Sequence, residues 1–401
     1  MNPTKINKIN ICCYAFFAIY AVITLSVFGF GVYFLEELGF SYVTIGMTIG
    51  ISALLASVIQ PLIGRIADSR QYSWKNILIV LSIILIVSSL GIYVAPHSLL
   101  ILLYGITIIV FGCMYPFINQ AVFYYEDHGI KTNFGVSRGF GSLAYMIFAS
   151  VLGILLAKTN VMIINTFTLV SSIAMIIVLY LAPYYGSSID PKAKSMEDKR
   201  KNKNFKNNVL FKYPVFTLAF IAVALLMIFH NIFMAYMIDI FENVGGNVSD
   251  VANASSIAAF LELPTMFLFA KLLERISAKK LIVIASIFYV ARSVIVLTAH
   301  DTTGIYISLV LQMVSFAIMI PASVHLTNEL MADDDKYEGQ SFMGSTQTIG
   351  IIFGNFIGGN ILQFYNVDLL LIILVIITVM GSLFALSTLV ADRKDRPESS
   401  N

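Results

Sequence analysis

Charged residues are scarce in this 401-residue chain. Asp, Glu, Lys and Arg make up 12% of it, whereas hydrophobic residues make up 58%, and the mean hydropathy is +0.85. About a quarter of the residues in a soluble domain are charged, so this composition excludes an ordinary soluble fold. It indicates a polytopic membrane protein.

Cysteine is also rare, and the common catalytic motifs are missing. The three cysteines, Cys12, Cys13 and Cys113, have neither metal-ligand spacing nor the arrangement of a disulfide scaffold. The chain has no zinc-binding histidine pair, no Gly-x-Ser-x-Gly elbow and no phosphate-binding glycine loop. We therefore expect no enzyme, no metal and no cofactor. The basic run Lys199 to Lys206 is expected to meet anionic lipid rather than nucleic acid.

Long apolar runs dominate what is present. A bilayer core of about 30 Å needs about 20 helical residues, and twelve runs of that size predict twelve transmembrane helices. The runs lack the alternation of a membrane barrel, so the predicted fold class is an all-α membrane protein. Their approximate limits are 11–35, 42–66, 75–95, 99–125, 134–157, 161–183, 213–242, 251–274, 279–299, 303–331, 340–364 and 367–391.

One long polar segment, 184–212, separates six runs from the other six. It is rich in Lys, Asn and Ser and is typical of a flexible, charged cytoplasmic linker. We therefore predict a six-helix bundle at 1–183, a second at 213–391, and a tail at 392–401. Transporters are commonly built from such repeats, with the binding site between them near the bilayer midplane.

The basic residues predict the orientation of the chain. Of the 25 Lys and Arg residues, all except Arg138, Lys158 and Arg292 fall in alternate loops or tails. The positive-inside rule makes those loops cytoplasmic, which places both termini in the cytoplasm.

Two opposite charges, Glu262 and Arg292, interrupt the apolar runs at matching depth. A charged side chain at the bilayer centre costs at least ~2.5 kcal/mol, so such residues usually face a partner or a water-filled cavity. A functional site is the leading interpretation. A purely structural pair that holds the eighth and ninth helices together is the alternative.

Polar side chains inside the other apolar helices are candidate solute contacts. In the first half these are Asn119, Gln120 and Arg138. In the second half, Gln312 and Ser315 lie three positions apart and share a helix face. Interhelical hydrogen bonding is an equal alternative for these two residues. The remaining candidate is Asn355 on the eleventh helix.

A short loop motif follows the second helix. It places Gly64 four residues before Asp68, with Arg70 close behind, and the loop after the eighth helix repeats the small-to-acidic spacing. A small residue lets a neighbouring helix approach while the carboxylate lies at its end. This pattern favours a breakable cytoplasmic gate, and ordinary polar loop sequence is the alternative.

The two sets of six helices, the basic central loop and the Gly64, Asp68 and Arg70 pattern together resemble the major facilitator superfamily over essentially the whole chain. The motif departs from the family at Ser69, where a basic residue is usual. The resemblance implies the major facilitator fold and transport by alternating access.

Three stretches further resemble the proton symporters related to lactose permease and phenylpropionate permease. The first surrounds Arg138, and the resemblance implies that this arginine contacts substrate. Gln120 stands where the sugar permeases have a glutamate. An amide can hydrogen-bond a hydroxyl but cannot exchange a proton, so galactoside specificity is in doubt.

The other two stretches are Glu262-Leu263-Pro264 and Val290-Ala291-Arg292-Ser293. By resemblance, Glu262 is the proton carrier and Arg292 its partner. His230 stands where the lactose permease group has an aspartate, and it is a candidate third member of the proton-coupling set; a hydrogen-bonded structural histidine is the alternative. Ser315 and Ile318 replace that group's histidine and glutamate in the tenth helix, which excludes an identical proton relay.

These observations predict a proton-coupled importer of a small polar organic solute, such as a sugar, glycoside, nucleoside or aromatic acid. A proton-driven exporter of drugs or metabolites is the alternative. The absence of proline between Gly139 and Gly153 favours import, because exporters of the superfamily typically carry a Gly-Pro motif there. We expect a functional monomer in the plasma membrane of a bacterial cell, driven by the proton gradient. Lipid flipping stays open.

Overall fold

A computed structural model describes residues 3–68, 73–130, 132, 134–185, 209–332 and 335–394. These residues form helices joined by short loops. The helices of the first half are α1 (Pro3–Thr24), α2 (Gly31–Glu37), α3 (Tyr42–Asp68), α4 (Trp74–Val94), α5 (His97–Asp127), α6 (Phe134–Leu156) and α7 (Met162–Leu181). Those of the second half are α8 (Val209–Lys212), α9 (Pro214–Ala235), α10 (Met237–Glu242), α11 (Val248–Arg275), α12 (Ala278–Leu297), α13 (Thr302–Val310), α14 (Phe316–Leu330), α15 (Lys336–Phe364) and α16 (Val367–Lys394).

Ten helical segments of the described chain are long and apolar enough to cross a membrane, by length and composition. The other two predicted spans, 251–274 and 340–364, are present as helices of 28 and 29 residues that carry more polar side chains. The all-helical prediction is therefore confirmed, whereas the count of twelve membrane spans and the cytoplasmic termini stay predictions. The predicted linker falls mostly on 186–208, outside the described residues.

Helix packing repeats between the two halves. In the first half, α1 packs on α6 and α7, and α4 packs on α5 and α7. In the second half, α9 packs on α15 and α16, and α12 packs on α14 and α16. These are equivalent pairs six spans apart, which is the arrangement expected of a transporter built from two related bundles.

Both bundles also begin with a broken helix. A π-helical turn, Leu25–Gly29, ends α1, and Phe30 then separates it from α2 with φ −123° and ψ 12°. Tyr236 separates α9 from α10 in nearly the same conformation, with φ −108° and ψ 28°. The predicted seventh span therefore ends earlier than 242, because its helix is interrupted at Tyr236.

Most of the contacts between the halves are made by two helix pairs, α3 with α15 and α6 with α11. A Cβ added at Gly46 would lie 2.3 Å from the Asn355 carbonyl oxygen, and one added at Gly153 would lie 2.2 Å from the Ala252 Cβ. Both contacts lie toward the end where α3 and α11 begin, which we call the closed end. Small residues there let the bundles approach backbone to backbone.

Candidate functional site

A cavity of about 590 Å³ lies between the bundles. Its walls come from α1, α3, α5 and α6 on one side and from α9, α11, α14 and α15 on the other, with Gln312 between α13 and α14. Its size is that of a small-molecule site, and its lining is mostly apolar with a few polar groups, as such sites usually are. Arg138 and Glu262 are the charged side chains among its described lining residues.

Glu262 and Arg292 are joined through the side-chain amide of Gln312. Gln312 Nε2 donates a 2.7 Å hydrogen bond to Glu262 Oε1. Gln312 Oε1 accepts a 2.9 Å hydrogen bond from an Arg292 terminal nitrogen. The other terminal nitrogen donates to Ser315 Oγ at 3.3 Å. Among the residues that the structure describes, the acid and the arginine are therefore linked by a neutral bridge and not by a direct ion pair.

The cation of Arg292 is fully buried and is surrounded by three aromatic rings. Its guanidinium carbon lies 5.4 Å from the ring centre of Phe233, 5.6 Å from that of Phe229 and 5.8 Å from that of Tyr289. Aromatic faces attract a cation, and this attraction strengthens when water is excluded. The arginine is thus a fixed positive charge behind the cavity wall, and Gln312 is its contact with the cavity.

A break in the tenth predicted span positions Gln312 and Ser315. The α-helix stops at Val310, a single 3₁₀ turn covers Leu311–Met313, and α14 starts at Phe316. Thr265 Oγ1 donates a 2.9 Å hydrogen bond to the Met313 carbonyl oxygen. A broken membrane helix needs such partners, because its freed backbone groups meet no water in the bilayer core.

His230 lines the same cavity. Its ring stacks on Phe316 with centroids 3.9 Å apart, and its Nδ1 is buried without a hydrogen-bond partner. It therefore lies within the site and outside the Glu262, Gln312 and Arg292 chain. A bound solute could supply the missing partner.

The remaining predicted site residues are distributed unevenly. Arg138 and Gln312 line the cavity, whereas Asn119, Gln120, Ser315 and Asn355 are absent from its described lining. Ser315 is buried and accepts a hydrogen bond from Arg292. Asn355 lies at the contact between the halves, where its side-chain nitrogen donates to the Ile351 carbonyl at 2.8 Å.

The predicted gate is only partly within the described residues. Gly64 is described, and a Cβ added there would meet no atom within 4 Å. The Asp68 side chain and the whole of Arg70 lie outside the described residues.

Several cavity residues were not singled out from the sequence as solute contacts. Gln60, Tyr145, Asn231, Ser255 and Gln347 all line it. Amides inside apolar helices were the available signal for Gln60, Asn231 and Gln347, but the sequence does not show which helix face turns inward.

Two helical bundles around a central cavity with a few polar groups define the class of this protein as a membrane transporter of the major facilitator type. The chain belongs to the MFS_1 like family, whose model matches residues 9–373. The superfamily resemblance is thereby confirmed. Members of this family are transporters and not enzymes, and transporters of this type need no cofactor.

Solved structures share the fold over nearly the whole chain. The nucleoside transporter NupG is 16% identical, with 97% of this chain and 99% of that chain covered and a TM-score of 0.71. A D-xylose-proton symporter is 13% identical, with 96% and 97% covered and a TM-score of 0.70. A bacterial homologue of the human lysosomal transporter Spinster, inward-facing and unoccupied, is 13% identical, with 100% of both chains covered and a TM-score of 0.69. No curated protein sequence matches the chain.

Proposed function

We propose that this protein is a proton-coupled symporter that imports a small polar organic solute by alternating access. The observation that carries the proposal is the link from Glu262, on the cavity wall, through Gln312 to the buried cation of Arg292. An ionisable group inside a membrane is energetically costly, so one that is present usually has a function. Glu262 lies where a solute would bind.

The link gives proton binding a structural consequence. As a carboxylate, Glu262 accepts the amide hydrogen of Gln312, and such charge-assisted bonds are roughly twice as strong as neutral ones. Protonation removes the charge, weakens this bond and gives Glu262 a hydrogen to donate. A solute hydroxyl could then bind Glu262 or Gln312, which couples solute binding to the proton.

The cavity chemistry favours an uncharged or weakly charged polar solute. Amides from both halves, Gln60, Asn231, Gln312 and Gln347, can donate to and accept from hydroxyl groups. Tyr20 stacks on Phe111 with centroids 4.6 Å apart and lies against Tyr115 at 5.4 Å, which gives a flat surface for a sugar ring or a base. The similar folds of a nucleoside transporter and a D-xylose-proton symporter agree with this class.

The same reasoning extends to topology and partners. The basic residues favour cytoplasmic termini, in a bacterial plasma membrane, because they cluster in alternate loops. Each bundle contributes walls to one cavity, so a monomer is sufficient for the cycle.

The test is solute accumulation in proteoliposomes with an imposed pH gradient, comparing the wild type with Glu262→Gln. A panel of sugars, nucleosides and aromatic acids identifies the solute. We expect the variant to lose uphill uptake and to retain exchange of labelled solute across the membrane. Glu329→Gln, which removes an exposed charge near the end of α14, serves as the matched control.

Two outcomes would contradict the proposal. Uphill uptake by Glu262→Gln would show that this carboxyl group does not couple transport to protons. Solute leaving the vesicles against its gradient only when protons enter would establish the exporter instead.

A further inference from the structure

A second group of acids lies at the closed end, away from the cavity. Tyr42, the first residue of α3, places its hydroxyl against a carboxylate oxygen of Glu36 on α2 and a carboxylate oxygen of Asp239 on α10. Glu36 and Tyr42 belong to the first bundle and Asp239 to the second. We call these three residues the closed-end triad, because they join the two halves.

The number of hydrogens available in this triad determines its protonation state. A tyrosine hydroxyl has one hydrogen, and an ionised carboxylate has none. Tyr42 can therefore donate to Glu36 or to Asp239, but not to both. The second contact needs a hydrogen on the carboxyl group itself, which then donates to the Tyr42 oxygen. Two ionised carboxylates and one neutral tyrosine have a single hydrogen between them, so the observed geometry requires one additional proton.

Among the described neighbours of the triad, no cationic side chain balances the negative charge of Glu36 and Asp239. The other ionisable groups that act on the triad from α2 and α10 are Glu37, Glu242 and Tyr33. From α15, the neutral Gln363 accepts a 3.0 Å hydrogen bond from the Tyr42 backbone N–H, and at the junction before α10 the Tyr236 hydroxyl donates to the Asn355 carbonyl at 3.0 Å. The described residues also contain no group of three or more His, Cys, Asp and Glu that could hold a metal ion.

Asp239 is the more buried of the two acids, at 8% exposed, and its Oδ2 is buried without a hydrogen-bond partner. It lies beyond the span Pro214–Ala235. Burial raises the pKa of Asp239 to about 7, and the nearby Glu36 and Glu242 also raise it, while the Tyr42 hydrogen bond opposes the shift. Burial likewise raises the pKa of Glu36.

We propose that Glu36, Tyr42 and Asp239 form a second proton-binding site, separate from Glu262, which takes up one proton when the closed end forms. When that end opens, α10 separates from α2 and α3, water reaches the two acids, and the proton leaves. The inference rests on the proposed function only in assuming that the two ends alternate. If the basic loops are cytoplasmic, the site exchanges protons with the outside.

The sign of the pH effect follows from linkage. An acid whose pKa is higher in the closed form stabilises that form when protonated. For Asp239 this stabilisation is complete below the ordinary value of 3.8 and is lost as the pH rises toward about 7. The ratio of open to closed molecules should therefore rise with pH, by at most about tenfold per pH unit for one proton.

The experiment measures the opening of this end directly and needs no solute. Spin labels at cysteines introduced at Ser98, an exposed position in the first turn of α5, and at His300, an exposed position in the loop after α12, report the separation of the bundles by pulsed electron resonance. The native cysteines Cys12, Cys13 and Cys113 are buried. Every sample carries Glu262→Gln, so that titration of the cavity acid cannot contribute.

In this background we expect the long-distance population to rise between about pH 5 and about pH 8. Glu36→Gln combined with Asp239→Asn should abolish the rise and leave the end closed at both pH values, because the amides stay neutral and can donate to Tyr42. Glu37→Gln removes an exposed neighbouring charge and should keep the pH response, with its midpoint moved slightly downward, because Glu37 contributes to the raised pKa of Glu36.

Two results would overturn the proposal. One is a separation of the bundles that does not change with pH. The other is an unchanged pH response in the double variant or, if the double variant fails to fold, in Asp239→Asn alone. Neither result depends on whether Glu262→Gln abolishes uphill uptake, so the two proposals fail separately.

Discussion

The amide of Gln312 donates to the carboxylate of Glu262 at 2.7 Å while its carbonyl oxygen accepts from the guanidinium of Arg292 at 2.9 Å. Because one amide bonds to both partners, a change of charge on either side chain alters both hydrogen bonds. Any movement that withdraws Gln312 leaves the arginine with only Ser315 and the surrounding aromatic rings as partners. The position of this one neutral residue therefore determines how strongly the cavity acid and the buried cation influence each other.

Replacement of Gln312 by leucine tests this bridge. Gln312→Leu removes two hydrogen bonds to charged groups, each contributing about 1.5–3 kcal/mol, and fills the position with a side chain of similar size. We expect a lower Tm of the purified protein in detergent and loss of pH-driven uptake. Gln347→Leu, on the wall of the same cavity, should not lower the Tm comparably. Equal losses of Tm in the two variants would contradict a special role for Gln312.

Replacement of Arg292 by lysine tests the planar contacts of the guanidinium. Lysine keeps the positive charge, but it cannot donate in the same fork to Gln312 and Ser315 or stack in the same way on aromatic rings. We expect Arg292→Lys to reduce the initial rate of pH-driven uptake at least about tenfold, equivalent to about 1.4 kcal/mol. Arg275→Lys, at the exposed end of α11, is the control. Wild-type uptake by Arg292→Lys would mean that charge alone suffices.

Replacement of Gly46 by alanine tests the contact between the bundles. The new Cβ would lie 2.3 Å from the Asn355 carbonyl oxygen, so α3 and α15 must move apart at this point. Separation of the closed end relieves the overlap while each bundle keeps its own packing. We expect Gly46→Ala to favour the conformation open at that end, measured with the same pair of spin labels. Gly344→Ala, whose Cβ meets nothing within 4 Å on α15, should leave the distances unchanged. A closed end in Gly46→Ala would show that the helices can shift locally to accept the methyl group.

The sequence predicts the class of fold and the two central charges for physical reasons. Long apolar runs can only be helices in a bilayer, and isolated charges inside them are conspicuous because burial is expensive. Glu262 and Arg292 are identifiable on that ground alone. Gln312 is identifiable as a candidate, but its place between them depends on the 3₁₀ turn at Leu311–Met313.

The closed-end triad is harder to find from sequence. Glu36, Tyr42 and Asp239 lie at the ends of apolar runs, where acids and tyrosines are ordinary. Only the packing of the two bundles brings them together. The break at Tyr236 is not marked by a proline or a glycine in the sequence. The apolar run therefore predicts a longer seventh span than the helix that the structure contains.

The interruptions at Phe30 and Tyr236 have a mechanical consequence. Each connects a long helix to a short one, α2 or α10, which carries Glu36 or Asp239. A short helix attached through one non-helical residue can swing on that residue while the long helix stays in its bundle. Both bundles therefore reach the closed end through a short helix of matching construction, so a tilt of α2 and α10 on Phe30 and Tyr236 can accompany the separation of the long helices there.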